Sequence, residues 1–325
     1  MAADRGAPLL EVNDLIVRYG DRTVLDGLSF TVGRGEIFGL LGPNGSGKST
    51  TFSVLTGLLA PAAGRFRFDG ADIEPGARSL RARIGVVFQK PSLDKSLSGR
   101  ENLMLAARLH GVPRADRRAR VAALLELAEL ADRADEPVKK LSGGMARRLE
   151  LARSLVHEPI LVVMDEPTSG LDERSFQRTW DRLERLRRER GLSILVSTHR
   201  PEEAARCDRI ALIDDGKLVA CDTPEALRTS VSGDLVTLVG ADAEALAALV
   251  RERFGVEARV IDNAVSLRCD EGHALIPRIV EALPAGRLKA VHLERPGLAE
   301  VFLARTGRTL DDEGRPAAPL DRATP

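Results

Sequence analysis

The sequence has few cysteines, and they form no recognisable pattern. Among its 325 residues are Cys207, Cys221 and Cys269, which lie far apart without the short spacings of metal ligands. This distribution is typical of a protein in a reducing compartment, and it argues against a disulfide framework and against a zinc site. We therefore interpret the cysteines as packing or surface thiols.

The sequence also has no excess charge of either sign. Lys and Arg together number 48, as do Asp and Glu, so the formal net charge is +0. A neutral chain lacks the overall positive field that recruits nucleic acid or an anionic membrane. We expect partners to be recognised through local surfaces, and we expect no nucleic acid among them.

Long apolar runs are missing as well. After residue 50 the longest strongly apolar run is 160–164, far short of the ~20 residues that a membrane-spanning helix requires. The N-terminal residues mix Asp4 and Arg5 with Pro8 and contain no apolar segment of a secretion signal. We therefore expect a chain that does not cross a bilayer by itself.

Apolar patterning predicts an α/β fold of about two domains, the first at 8–230. Its predicted strands lie at 9–18, 23–32, 36–41, 65–68, 84–88, 160–164, 194–197, 209–213 and 217–220. A helical insert is predicted over about 91–157, because Val121, Leu124, Leu125 and Ala128 recur at helical spacing.

A second domain is predicted at 231–307, with the order βαββαβ of a ferredoxin-like unit. It could stabilise a dimer, or it could sense a small ligand. His273 and His292 have no companion residues that would mark a pocket. The last stretch, 308–325, is rich in Pro, Asp and Arg and is predicted to be a disordered tail.

A glycine-rich loop stands between the strand at 36–41 and a predicted helix, and it consists of Gly42, Pro43, Asn44, Gly45, Ser46, Gly47, Lys48, Ser49 and Thr50. Its glycines allow a tight turn with inward-pointing N–H groups, toward which the helix directs the positive end of its dipole. Lys48 can then reach the β- and γ-phosphates of a nucleotide, and Ser49 can ligate Mg²⁺. The alternative is a glycine-rich turn with a chance lysine.

Two carboxylates, Asp165 and Glu166, follow the apolar strand 160–164 directly. Ligands bind at the carboxyl ends of strands in parallel α/β sheets. We expect Asp165 to hold Mg²⁺ through its water shell and Glu166 to lie near an attacking water. In isolation, an acidic pair that caps a helix would explain the pattern equally well.

A second anion site is predicted where Ser142, Gly143 and Gly144 follow Leu141 and open a helix. Two such sites in one chain suggest that a triphosphate is held from both sides. The motif is short, and a plain helix N-cap would also explain it.

In this order the motifs resemble those of the ATP-binding cassette (ABC) family, and the resemblance covers about residues 8–228. It implies a P-loop NTPase fold of the ABC type, with an antiparallel β subdomain and a helical subdomain, that binds ATP and Mg²⁺ and hydrolyses ATP. Residues 42–50 would be the Walker A loop, 141–144 the signature motif, and Asp165 and Glu166 the Walker B pair.

The resemblance also implies roles for residues that spacing alone does not single out. Gln89 would be the Q-loop residue, which senses Mg²⁺ and touches a membrane partner, and Asp172 would be the D-loop aspartate. His199 would contact the γ-phosphate, and Tyr19, the only tyrosine, would stack on adenine. Without the resemblance, Tyr19 would be a packing residue at a strand end and His199 a satisfied core histidine.

The resemblance implies that Glu166, His199 and Lys48 are catalytic residues and that Ser49, Gln89 and Asp165 belong to the metal site. The resemblance further implies a homodimer in which two cassettes face head to tail. Each nucleotide would lie between the Walker A loop of one copy and the signature motif of the other. The dimer would sit peripherally on the cytoplasmic face of the inner (plasma) membrane, bound to separately encoded transmembrane permease subunits.

One residue departs from the family pattern. Most signature motifs continue with Gln, but here Met145 follows Gly144, and methionine cannot hydrogen-bond a nucleotide as an amide would. We expect hydrolysis to be retained with weaker nucleotide contacts. Met145, together with residues 297–307, resembles the cassettes of drug-resistance and lipo-oligosaccharide export, which implies an exporter and does not name its cargo.

The alternative function is a soluble cassette ATPase that switches a ribosome- or DNA-associated complex. Translation-type cassettes carry tandem nucleotide sites, whereas this chain has one Walker A loop. Chromosome-associated cassettes insert a long coiled coil, for which the sequence shows no pattern. The neutral charge further disfavours nucleic acid.

Overall fold

The computed structural model describes residues 7–310, except for 90–91, 232, 262–263, 270–271, 284–286 and 295. Two compact units divide at Thr223 and Pro224. The predicted boundary near Ser230 falls later, since the short helix that begins at Pro224 belongs to the second unit. Most of the predicted tail lies outside the described residues.

The strands of the first unit are β1 (Leu10–Tyr19), β2 (Arg22–Val32), β3 (Ile37–Leu41), β4 (Ala63–Phe68), β5 (Ala71–Ile73), β6 (Ile84–Val87), β7 (Leu161–Asp165), β8 (Ser193–Thr198), β9 (Arg209–Asp214) and β10 (Lys217–Asp222). Its helices are α1 (Lys48–Leu55), α2 (Arg78–Arg81), α3 (Gly99–Leu109), α4 (Arg117–Leu127), α5 (Gly143–Ser154), α6 (Glu173–Arg190) and α7 (Pro201–Ala204). β5, α2 and α7 were not predicted, because elements of three or four residues carry no measurable periodicity.

A six-stranded sheet in the order β10-β9-β3-β8-β7-β6 forms the centre of the first unit. From β9 to β6 the strands pair in parallel, whereas β10 returns antiparallel to β9. Every residue of β3 and β8 is buried, as continuous apolar strands between two covered faces require. The carboxyl ends of β3, β6, β7 and β8 therefore meet at one edge.

An antiparallel sheet in the order β2-β1-β4-β5 covers part of this core. Phe30 of this sheet stacks on Phe38 of β3, with ring centroids 5.6 Å apart. Between β6 and β7 the chain is helical. There α3 begins with a capping box in which Ser98 and Glu101 exchange hydrogen bonds.

The second unit contains α8 (Pro224–Thr229), β11 (Asp234–Gly240), α9 (Ala243–Phe254), β12 (Ala258–Ile261), β13 (Ala264–Cys269), α10 (Gly272–Ala282), β14 (Leu288–Glu294) and α11 (Leu298–Thr306). Its antiparallel sheet has the order β12-β13-β11-β14, and α9 and α10 pack against it. This is the ferredoxin-like arrangement, so the predicted βαββαβ fold is confirmed. In the part of the chain that the structure describes, no helix combines the length and the apolarity needed to span a membrane.

Candidate functional site

The glycine-rich loop joins β3 to α1. Its first residue, Gly42, is packed so closely that no residue with a Cβ fits there. A Cβ added to Gly42 would lie 2.2 Å from the carbonyl oxygen of Ile213. Gly47, the N-cap residue of α1, has φ 104°, a left-handed conformation that favours glycine. Ser46 places a buried hydroxyl in the loop that has no hydrogen-bond partner among the described residues. The loop thus offers unused donors at a helix N-terminus, which suits a phosphate.

Lys48 lies folded against the loop and is almost fully buried. Its Nζ donates hydrogen bonds of 2.7 Å and 2.8 Å to the carbonyl oxygens of Gly42 and Pro43. Burial lowers the pKa of Lys48 to about 8, although the negative charges of Glu166 and Asp165 oppose this shift. The ammonium group therefore belongs to the same electrostatic cluster as both carboxylates.

Asp165, at the end of β7, faces the start of α1. The Oγ of Ser49 lies 3.2 Å from Oδ1 of Asp165, and Ser197 of β8 donates a hydrogen bond to the same oxygen. A hydroxyl and a carboxylate are hard oxygen ligands of the kind that Mg²⁺ prefers, and Mg²⁺ bound with a nucleotide needs only one or two protein ligands. The residues present therefore fit the metal.

Glu166 follows directly and is buried to all but 9%. Gln89 donates from Nε2 to Oε2 of Glu166 at 2.9 Å, and Nδ1 of His199 lies 3.0 Å from the other carboxylate oxygen. The backbone of Glu166 is left-handed, with φ 42°, which is costly for a residue other than glycine. Its amide donates to the Oγ of Ser197 at 3.0 Å, so the fold holds this carboxylate from several sides.

The signature residues form a second group at the start of α5. Ser142 is the N-cap, and its Oγ accepts from the backbone N–H of Met145 at 3.3 Å. Asp172 caps α6 by accepting from the N–H and Oγ of Ser175, both at 2.9 Å. A Cβ on Gly144 would lie 3.4 Å from the Oγ of Ser175, so the two helix starts are neighbours.

A cavity of about 240 Å³ opens beside this second group. Its lining includes Ser142, Gly144, Met145 and two arginines, Arg148 and Arg178. Guanidinium groups beside a helix N-terminus favour an anion.

The predicted site residues thus fall into two clusters. The first contains Lys48, Ser49, Gln89, Asp165, Glu166 and His199, together with the glycine-rich loop. The second contains Ser142, Gly143, Gly144 and Asp172. Tyr19 stands at the end of β1 and is 52% exposed, a position open to stacking rather than to core packing.

Sequence patterns missed two residues at this site. Ser197 bonds both Walker B residues, yet it looked like an ordinary strand residue. Arg147 bonds the backbone around Glu166, yet in the sequence it is one of several arginines that follow the signature. Its only sequence signal is its place in the helix that the signature opens.

The chain is similar to known proteins over most of its length. A family model described as "ABC transporter" matches residues 25–169. The Nod factor export ATP-binding protein I of Ralstonia nicotianae is 42% identical over 315 residues, which are 94% of this chain and 96% of the relative. A daunorubicin resistance ATP-binding protein of Streptomyces coeruleorubidus is 41% identical over 89% of this chain and 93% of its own length.

Solved structures give the same result. cbiO1 from Clostridium perfringens, part of the ABC transporter complex cbiONQ, matches with a TM-score of 0.64 and 29% identity over 76% of this chain and 96% of its own. An ATP-binding cassette of an ABC transporter in its ADP conformation matches with a TM-score of 0.61 and 27% identity, over 68% and 92% of the two chains. The chain belongs to the ABC transporter family, as one of its ATP-binding subunits that hydrolyse ATP.

Proposed function

We propose that Glu166 is the general base of ATP hydrolysis. The observation that carries this proposal is the pair of contacts that Gln89 and His199 make with the two oxygens of its carboxylate. Held in this way beside the glycine-rich loop, Glu166 takes the proton from a water that attacks the γ-phosphorus, and ADP leaves. Positioned base catalysis of this kind contributes about 10²- to 10⁴-fold in rate.

The surrounding residues supply positive charge and orientation. Lys48 turns from the carbonyl oxygens of the loop toward the β- and γ-phosphates, and His199 donates to the γ-phosphate. Ser49 and Asp165 would hold Mg²⁺, supported by Gln89. A metal bound there would supply positive charge that offsets the negative charge of the phosphates.

We propose that two copies of the chain assemble head to tail around two nucleotides. The second cluster supports this arrangement, because Ser142, Gly143 and Gly144 form a helix start whose adjacent cavity is lined by no residue of the chain's own glycine-rich loop. In the dimer they face the nucleotide on the partner's Walker A loop, Asp172 lies at the junction, and Tyr19 stacks on the adenine of its own chain.

We propose that separately encoded membrane subunits dock next to Gln89. Phe88, the residue before it, lines a largely apolar groove of about 290 Å³ between β6 and α3. Leu58 and Leu109 also line this groove and are 67% and 77% exposed. Exposed leucines beside a catalytic loop mark a surface that a partner covers.

We propose that this assembly drives export from the cytoplasmic face of the inner (plasma) membrane, to which the chain binds peripherally. The relatives named for Nod factor export and daunorubicin resistance support this direction. They speak against the alternative of a ribosome- or DNA-associated switch. Their cargoes differ, so they do not fix the cargo of this chain.

We propose that the first unit, predicted as residues 8–230, is the ATP-binding domain with a helical subdomain at about 91–157, and that the second unit, predicted as 231–307, is an accessory domain. The accessory domain either stabilises the dimer or senses a ligand. Deletion of residues 231–325 tests both roles, since unchanged dimerisation, ATPase rate and transport would contradict each of them.

Glu166→Gln tests the central proposal. The variant should bind ATP and dimerise with it as the wild type does, while its turnover is abolished, because the amide cannot accept the proton of water. Glu158→Gln, which alters a glutamate on the protein surface, is the matched control. Near-normal hydrolysis by Glu166→Gln would contradict the assigned role.

A further inference from the structure

Arg147 lies near the start of the signature helix α5 and is 10% exposed. Its side chain leaves the helix and ends behind the Walker B turn. A buried guanidinium needs partners for five N–H donors, which lie in one plane and point in fixed directions. The partners therefore show what this residue holds together.

Three of those partners are the consecutive carbonyl oxygens of the turn that carries the base. Nε donates to Pro167 at 2.8 Å, and Nη2 donates to Asp165 and Glu166, both at 3.3 Å. This turn contains the left-handed backbone of Glu166. Such a conformation persists only when its surroundings determine it, and Arg147 supplies three of the bonds that do so.

Of the other two donors, one reaches the segment that carries Gln89 and the other reaches Glu150 of α5. Nη1 donates to the carbonyl oxygen of Phe88 at 2.6 Å and to Oε2 of Glu150 at 3.0 Å. Glu150, on the next turn of α5, is 1% exposed and accepts from the backbone N–H of Ser92 at 2.6 Å. The pair Arg147–Glu150 thus holds the Gln89 segment at a residue before it and at a residue after it.

We propose that Arg147 is a positioning residue for ATP hydrolysis. One guanidinium bonds the backbone carbonyl of Glu166 and that of Phe88, the residue before Gln89, so it holds the backbone next to both ends of the hydrogen bond between Gln89 and Glu166. Arg147 is part of the signature helix and moves with it. The base is therefore set in its productive place only when α5 is docked against β6 and β7. This inference rests on the proposed role of Glu166 as the base.

Arg147→Lys is the sharpest test. Lysine keeps the charge and can still pair with Glu150, but its compact ammonium cannot span the carbonyl groups of two segments. Because the Walker A loop is untouched, the loss should fall on kcat. Calorimetric ATP titration gives the number of ATP sites, and kcat is expressed per site. We expect this kcat to fall at least tenfold, while KM and the calorimetric Kd for ATP stay within about threefold of wild type.

Two further variants keep the test independent of folding. Glu150→Gln keeps the size of the glutamate that pairs with Arg147 but removes its charge. It should lower kcat by a smaller factor than Arg147→Lys does and leave KM and Kd for ATP unchanged. Arg120→Lys is the control, since Arg120 also bonds a backbone carbonyl and a glutamate, those of Val156 and Glu158, away from the Walker B turn. Its kcat should match that of the wild type.

The outcomes separate this inference from the function on which it rests. If Glu166→Gln hydrolyses ATP normally, the proposed base is wrong. If Glu166→Gln is inactive while Arg147→Lys and Glu150→Gln turn over as fast as wild type, only the positioning role is wrong. If a rise in KM and Kd for ATP accounts for the whole loss of kcat/KM in Arg147→Lys, the positioning role is also wrong, since Arg147 would then act on ATP binding.

Discussion

The side-chain amide of Gln89 donates a 2.9 Å hydrogen bond to the carboxylate of Glu166. The two residues follow different strands of one sheet, and the bond joins the proposed Q-loop residue to the proposed Walker B pair within one chain. This contact gives the carboxylate a neutral donor, which orients it without adding a charge. The identity of residue 89 should therefore affect the rate of hydrolysis more than the affinity for ATP.

Substitutions at Gln89 separate orientation from charge. Gln89→Ala removes the donor and should lower kcat about fivefold, in line with the loss of about 1 kcal/mol for a hydrogen bond. Gln89→Glu has nearly the same shape but places a second negative charge against Glu166, so kcat should fall further. Steady-state ATPase assays at saturating MgATP give both values. Equal activity of Gln89→Glu and wild type would contradict the contact.

Met145 offers a test in the opposite direction. Its backbone N–H already donates to the Ser142 hydroxyl, which caps the helix, so Met145→Gln leaves the helix start intact and adds an amide where most cassettes have one. A gained neutral hydrogen bond of about 0.5–1.5 kcal/mol should lower KM for ATP by about two- to tenfold. ATPase titrations measure the shift.

The control for this substitution is Met145→Leu, which keeps the size and adds no donor. Its KM should equal that of the wild type. If Met145→Gln and Met145→Leu behave alike, the side chain at this position does not reach the nucleotide.

The first cluster could be predicted from sequence because parallel strands deliver their carboxyl ends to one edge. Lys48 and Asp165 each follow an apolar run, and this topology was enough to expect them around one site. The contact between Ser49 and Asp165 shows that they share it. Periodicity and motif spacing report such placements well, since both are properties of single elements.

The partners of Arg147 could not be predicted in the same way. Its bonds join residues 59 positions apart in the chain, from α5 to Phe88, and they depend on how the helical segment packs on the sheet. An arginine with four carbonyl partners has the same sequence signature as an arginine whose side chain lies in water. Tertiary packing of this kind leaves no local pattern, and the same holds for the bonds of Ser197 to Asp165 and Glu166.

Two glycines of the phosphate loop should differ in their tolerance of alanine. At Gly42 the new Cβ would lie 2.2 Å from Ile213 O and 2.6 Å from Ser46 Oγ, so the backbone has to move. Gly45 has φ +81° with nothing within 4 Å of an added Cβ, which leaves only conformational strain of about 1–2 kcal/mol. Gly42→Ala should lose more thermal stability and more ATP affinity than Gly45→Ala.

Thermal melts and calorimetric ATP titrations of the two variants provide the comparison. Each variant serves as the control for the other, because both add one methyl group to the same loop. Equal losses would mean that strain rather than the collision with Ile213 limits the loop.

A buried carboxyl group away from the reacting residues gives a prediction on pH. Glu203 is 1% exposed, and its Oε1 accepts from Thr168 Oγ1 at 2.8 Å and from Trp180 Nε1 at 3.2 Å. Burial raises the pKa of Glu203, and it outweighs these hydrogen bonds and the nearby charge of Arg200, which act in the opposite direction. The folded state thus favours the protonated form more than the unfolded state does.

The sign of the effect follows from this difference. Below its unfolded pKa, Glu203 is protonated in both states and its contribution to stability is fully present. That contribution is lost as the pH rises through the raised folded pKa. Glu203→Gln stays neutral and can still accept both hydrogen bonds, so its free energy of unfolding relative to wild type should increase with pH.

Urea unfolding at about pH 5 and about pH 8 measures the change. The advantage of Glu203→Gln should be larger at the higher pH, because burial makes the carboxylate form of the wild-type side chain unfavourable in the folded chain. Glu202→Gln, which alters an adjacent side chain that is 68% exposed, should show no such dependence. A difference between Glu203→Gln and wild type that stays constant across this range would mean that Glu203 is equally easy to ionise in the folded and unfolded chains.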